Sequence, residues 1–319
     1  MKGLKLFFLT AVAAAFVTNA GAQTMSEASA KYAEAGKAMT EKRYDEAAKG
    51  FEETIKMAEA LGEEGIKLRE ESEKYLVTTY LNKGRTSASA KNYDEAVAAL
   101  AKAQELANKY NNMQAATSAG QVLSQVYLIQ GGEAYNSKDY ATAAEVFAKG
   151  YAAAPNNTKL ALYLAESYDK LGDFDKAVDI YKGIMALTHS RYAADVKEAK
   201  ESLATALLVR ATEAAGKGNY DEVVKYSDQV LEFDPANQTA LLLPLQVATN
   251  AKKYNEVVKR GVAAEAALTD DVQKANANFY LGMAYQNLQN NAKALEHYKK
   301  VTAGDNAALA KQAIADINS

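Results

Sequence analysis

The amino-acid sequence predicts an all-α protein, a stack of helix-turn-helix hairpins closed by a C-terminal helix. Three observations carry this. Only three prolines (Pro155, Pro235, Pro244) occur in 319 residues, and the long stretches between them are rich in Ala, Lys, Glu and Leu, which favour helix. A short pattern, Tyr44-Asp45-Glu46-Ala47, returns as Tyr93-Asp94-Glu95-Ala96 and Tyr220-Asp221-Glu222-Val223, with looser copies at Tyr140 to Ala143, Phe174 to Ala177, Tyr254 to Val257 and Asn291 to Ala294. The small or β-branched residue closing each copy falls at 47, 96, 143, 177, 223, 257 and 294, and the shortest spacing is 34 residues, the size of one helical hairpin.

Taken in order, the chain opens on an address. Lys2 and Lys5 precede a run of 12 mostly apolar residues, Leu6 to Val17, and Ala20-Gly21-Ala22 then supplies the small-x-small pattern of a cleavage site. Such a run spans roughly 18 Å as a helix, against about 30 Å of hydrocarbon, so residues 1–22 read as a signal peptide rather than an anchor. The expectation is an exported protein, periplasmic in a Gram-negative bacterium or, as the alternative, secreted, with no stable membrane insertion. The remainder, residues 23–319, reads as one solenoid with repeats at about 28–61, 77–110, 124–157, 158–190, 204–237, 238–270 and 275–306 and a cap at 307–319.

Each repeat has an apolar helical stretch, a short polar turn such as Gly216-Lys217-Gly218-Asn219, and a second amphipathic stretch that begins at the aromatic residue. Acids in its first turn (Asp45, Glu46, Asp94, Glu95, Asp221, Glu222) suit the positive end of the helix dipole. Twelve residues before the closing small residue stands another small one in most copies: Ala35, Gly84, Gly131, Ala165, Ala211 and Gly282. Small opposite small lets two helix axes approach. Four residues after it stands an apolar knob in five copies: Phe51, Leu100, Phe147, Tyr181 and Tyr298. Repeat five has Ser227 at that place and repeat six Gly261; repeat six also sets Leu245 against Val257 and carries Pro244 inside its first helix, which marks it as a degenerate unit or a hinge. Spacings of 49, 47 and 46 residues exceed the basic unit, and the extra residues lack proline, so three tall inter-repeat hairpins are expected, each lengthened in both helices. In the tail, Leu309, Ala313, Ile314 and Ile317 fall at helical spacing and are expected to cover the last repeat.

At these residues the sequence resembles the tetratricopeptide repeat family. Gly131, Tyr140, Ala143, Phe147 and Pro155 sit at that motif's spacing, as do Leu281, Gly282, Tyr285, Ala294 and Tyr298. The resemblance covers roughly residues 28 to 306 and implies a right-handed α-solenoid of about seven hairpins with a C-terminal capping helix. It also implies an adaptor that binds a peptide or partner protein on the concave surface lined by first helices.

The composition and motifs exclude much else. Thirty-seven Lys and Arg face 40 Asp and Glu, so no basic surplus points to nucleic acid. The absence of cysteine removes disulfides, thiolate nucleophiles and thiolate zinc sites. His189 and His297 are 108 residues apart and belong to no metal-binding pair; both read as solvated surface residues. Gly216-Lys217-Gly218 lacks the third glycine and preceding strand of a phosphate loop. Carboxylate pairs such as Glu63 and Glu64, or Glu70 and Glu73, read as a solvated face. Of 20 tyrosines, Tyr44, Tyr93, Tyr140, Tyr220 and Tyr254 share one register and read as core. No catalytic, cofactor-binding or metal-ligating residues are assigned, and no cofactor is expected.

Projecting each first helix inward selects Asn82, Arg85, Gln125, Tyr135, Lys159, Leu162, Tyr163, Glu166, Gln246, Phe279, Met283 and Gln286 as the candidate partner-binding groove. The Lys, Asn and Arg clamp that family members use for chaperone tails is not assembled in them. The expected function is that of an exported, non-enzymatic scaffold or adaptor of the cell envelope. The alternatives are a self-associating structural solenoid, with a homo-oligomer left open, and an enzyme with a site built across helices.

Overall fold

The computed structural model describes residues 19–319, with side chains from residue 24. The expected signal peptide therefore lies outside the described residues, apart from 19–22 at the start of the first helix. The described residues form fifteen α-helices and two short 3-10 turns, with no strand among them. In order these are α1 (Asn19–Thr40), α2 (Tyr44–Ala60), a 3-10 turn (Gly62–Gly65), α3 (Ile66–Ser89), α4 (Tyr93–Lys109), α5 (Met113–Asn136), α6 (Tyr140–Ala153) and α7 (Thr158–Leu171). Then follow α8 (Phe174–Met185), a 3-10 turn (Ser190–Tyr192), α9 (Ala193–Gly216), α10 (Tyr220–Leu231), α11 (Gln238–Asn250), α12 (Tyr254–Ala267), α13 (Asp271–Asn287), α14 (Asn291–Lys299) and α15 (Ala307–Asn318).

The chain divides into two compact units, one ending at Leu171 and the other running Gly172–Ser319. The division falls in the turn of the fourth predicted repeat. In the first unit successive helices pack against each other, and α1 also touches α3, α3 touches α5 and α5 touches α7. The first helices of the repeats thus form a row of their own. The second unit repeats the arrangement, with α9 touching α11 and α11 touching α13.

Packing within a hairpin follows a rule more specific than small against small. The knobs Phe51, Leu100, Phe147, Tyr181 and Tyr298 are all buried. A Cβ added at Gly84 would stand 2.5 Å from Leu100 Cγ, at Gly131 2.5 Å from Phe147 Cε1, and at Gly282 2.6 Å from Tyr298 Cδ1. The glycine therefore makes room for the knob of its own repeat, which two real side chains could not share. Repeat six exchanges the sizes: Leu245 is buried at the small position, and Gly261 stands at the knob position, where a Cβ would meet Leu281 Cδ2 at 2.7 Å. Its first helix, α11, runs through the buried Pro244 as a single helix. Repeat five has small residues at both places, Ala211 and Ser227, both buried, and Ser227 Oγ has no hydrogen-bond partner among the described residues.

The intra-repeat turns share one backbone device. The residue two before each second helix has positive φ: Lys42, Lys91, Lys138, Gly172, Gly218, Lys252 and Gln289. In six of these turns, all but the one at Gly172, the next backbone N–H bonds a carbonyl five residues back, as in Arg43 to Ala38 at 2.8 Å, Asn92 to Ser87 at 2.8 Å and Asp139 to Ala134 at 2.9 Å. This left-handed cap satisfies the exposed carbonyls of the first helix and turns the chain in a fixed direction. Side chains cap the helix that follows in several cases; Asp139 Oδ1, for example, accepts the Thr142 N–H at 3.1 Å.

The long spacings are helix, as expected, but not evenly shared. α3, α5 and α9 each have 24 residues, and α2 and α4 have 17. The third case departs from the expectation: α8 has only 12 residues, so the lengthening there falls wholly on α9 and the preceding turn. At the C-terminus, Ala313, Ile314 and Ile317 of α15 pack against a cluster that includes Leu281, Tyr298 and Val301. Leu309, expected to share that role, is exposed, and Ala310 is buried in its place.

Candidate partner-binding face

Side chains on the row of first helices are held by helices whose other sides are fixed in the hairpin cores. In the first unit, α3 presents a half-buried Asn82 and an exposed Arg85, and α5 presents an exposed Gln125 and a half-buried Tyr135. α7 presents an exposed Lys159, Tyr163 at 41% exposure and a half-buried Glu166. Leu162 is corrected: it is 3% exposed and belongs to the core. It stands next to Tyr163, and on a helix one step of about 100° separates a wall residue from a buried one.

The structure brings several of these residues together. Tyr135 meets Tyr163 edge-on with ring centroids 6.3 Å apart, and Tyr163 stacks on the buried knob Phe147 at 5.4 Å. Tyr140 also meets Tyr135 edge-on, at 5.2 Å. Burial, followed by the neighbouring Glu166 carboxylate, pushes the Tyr135 phenol above its usual range. Arg85 Nη2 reaches Ser118 Oγ on α5 at 3.5 Å, a long contact that leaves the guanidinium available. Beside Tyr135, a Cβ on Gly132 would have nothing within 4 Å. The sequence reading missed Gly132 and the exposed Ile129, although they lie seven and four residues from Gln125 and so share its helix face.

In the second unit the row has a different character. Gln246 on α11 is exposed, and Phe279 and Met283 on α13 are half-buried against the last hairpin's core. Gln286 accepts a hydrogen bond from Tyr298 Oη at 2.8 Å. The exposed neighbours along this row, Thr205, Val209 and Thr212 on α9 and Thr239 on α11, are likewise uncharged.

Of the register tyrosines expected in the core only Tyr220 is buried; Tyr44, Tyr93, Tyr140 and Tyr254 are half-buried, with room for their hydroxyls to bond outward. Tyr44 Oη lies 3.1 Å from Thr86 Oγ1, and Tyr93 Oη donates to Glu133 at 2.9 Å, so each ties a second helix to the first helix of the next repeat. Lys91 and Tyr93 together hold the Glu133 carboxyl below its usual range. Glu70 and Glu73 line a cleft with Arg69 and Lys109, where burial pushes the Glu73 carboxyl up. Among the described residues no group of three or more His, Cys, Asp and Glu is placed to hold a metal ion. His189 is exposed, its Nδ1 accepting the Arg191 N–H at 3.2 Å. His297 contradicts the sequence reading: it is 7% exposed and bonded to Asn278. Its helix has only nine residues, and the ring lies against Asn278 and Tyr285 of α13 in its own hairpin, with Glu265 of α12 3.9 Å from Nδ1.

Three family models, each described as a tetratricopeptide repeat, match residues 134–203, 77–110 and 276–303. The chain is a tetratricopeptide repeat protein. No curated protein matches it. Among solved structures it is similar to the MamA protein, at 14% identity over 60% of this chain and 94% of that one, with a TM-score of 0.32. It is similar to the TPR2AB domain of yeast Sti1, solved as a pHSP90 complex, at 15% identity over 92% of this chain and 99% of that one with a TM-score of 0.33. A tetratricopeptide repeat protein from Parabacteroides merdae gives 13% identity over 93% and 100% with a TM-score of 0.32. No helix among the described residues is long and apolar enough to cross a membrane.

Proposed function

We propose that this protein is an exported, non-enzymatic scaffold of the bacterial cell envelope that binds a peptide or partner protein on the face of its first helices. The tetratricopeptide fold is a protein–protein interaction scaffold, which supports the general class. The observation that carries the choice of face is the group on α3, α5 and α7. Arg85 on α3 and Lys159 on α7 are exposed and form no ion pair among the described residues, and the same row carries Tyr135 and Tyr163, which meet edge-on. Interface energy concentrates in a few Tyr and Arg anchors, and a cation without an internal partner loses none when it binds. Export rests on the Lys2, Lys5, Leu6 to Val17 and Ala20-Gly21-Ala22 pattern.

The test separates binding from folding. Arg85→Ala, Gln125→Ala and Lys159→Ala combined remove exposed side chains that contribute little to the core. The variant should keep its helical circular dichroism and melt within a few degrees of the parent, yet recover much less partner from an envelope extract. Equal recovery would move binding off this face.

A further inference from the structure

His297 sits where three helices of the second unit meet. Asn278 on α13 donates through Nδ2 to the Lys274 carbonyl at 2.9 Å and to Glu265 Oε1 on α12 at 3.1 Å. Its amide is thereby oriented, leaving Oδ1 to accept. His297 Nδ1, 2.8 Å from that oxygen, is therefore the donor, and the ring is the neutral Nδ1–H tautomer. The ring stacks on Tyr285 of α13, with centroids 5.4 Å apart and planes at 13°. An added proton must go to Nε2, which makes no hydrogen bond among the described residues.

Burial opposes that proton, and the charges around the ring are mixed: Glu265 and Glu296 favour it, whereas Lys300 and Lys293 oppose it. From α12 comes Glu265, whose Oε2 lies 3.9 Å from Nδ1, beyond hydrogen-bond reach, and whose Oε1 is shared by Asn278 and Lys300, the latter at 3.2 Å. From α13 come only Asn278 and the Tyr285 ring, with Lys293 5.1 Å above that ring. From α14 and its end come Lys293, Glu296 and Lys300. Burial, the largest effect, holds the imidazole below its ordinary value.

We propose that His297 is an acid-sensitive latch: neutral, it holds α14 on α13 and α12, and protonated, it loosens that hairpin. A buried histidine with a depressed folded-state pKa contributes stability that is complete above the free value of about 6.5 and is lost as pH falls through the folded value. One linked proton raises the local opening constant by up to about tenfold per pH unit in that window. The neighbouring Tyr298 bonds Gln286 and packs on Phe279 at 6.0 Å, so loosening α14 disturbs the α13 face. That consequence rests on the binding role proposed above; the latch does not.

Hydrogen exchange of the full chain from pH 7.5 to 5, corrected for intrinsic chemistry, tests it without any partner. Peptides from α14 and the facing part of α13 should lose protection by up to about tenfold per unit below pH 6.5, while α4 keeps its own, and His297→Gln should abolish the pH dependence. Equal dependence in that variant would overturn the latch. Should His297→Gln fail to fold, NMR titration of the single imidazole in a His189→Gln protein decides. A midpoint below 6.5 supports the latch, and one at or above it sinks the proposal.

Discussion

Gly131 and Gly132 are neighbours in α5 with opposite needs. A methyl group at Gly131 would be driven into the Phe147 ring, whereas one at Gly132 would enter open space. Gly131→Ala should therefore destabilise the protein by about 1 to 3 kcal/mol through overpacking. Gly132→Ala should stabilise it by about 0.5 to 1 kcal/mol, because a helical glycine loses more backbone freedom on folding than alanine. Thermal denaturation of the two single variants checks this, and shifts of the same sign would contradict the packing described. The small position and the knob were both legible in the sequence, because a pattern repeated in seven copies exposes shared positions. That Gly84, Gly131 and Gly282 each make room for the knob was not, since the pairing runs across a turn. His297 was misread for a related reason: the periodicity of α14 says nothing about what α13 and α12 lay against it.

Among the elements, the turns hold the clearest unread signal. Their left-handed residue is glycine in only two repeats, Gly172 and Gly218, and is Lys or Gln in the other five. Composition alone therefore hides a cap that the backbone adopts throughout. A non-glycine residue in that conformation is strained. Lys91→Gly and Lys138→Gly should each raise stability, by a few tenths to about 1 kcal/mol, as midpoints of thermal unfolding would show. A loss at both sites would mean that these lysines contribute more through contacts than the strain costs; Lys91, paired with Glu133 at 2.7 Å, is the stricter test. Helical extension of the long spacings was legible because proline is absent from them. The unequal sharing around α8 was not, because helix-forming residues do not say which of two adjoining helices they join.

At the scale of the molecule, the candidate face was legible in register and only partly in chemistry. Projecting the first helices placed nearly every chosen side chain where solvent or a partner can reach it; Leu162 failed by a single helical step. The projected set already held a contrast in charge between the rows, with Arg85, Lys159 and Glu166 on α3 and α7 and no charged residue on α11 and α13. Exposure adds the uncharged Thr205, Val209 and Thr212 on α9, a helix from which the projection drew no residue. The measurement that tests the interaction role most directly is site-specific photo-crosslinking of the full chain in the producing cells. A photoreactive residue would replace Gln125 or Lys159 on first helices, and Glu105 or Glu145 on second helices. The account predicts one partner chain captured from positions 125 and 159, not from 105 or 145, and lost when Arg85→Ala is added. Capture from the second-helix positions alone, or capture indifferent to Arg85→Ala, would contradict it.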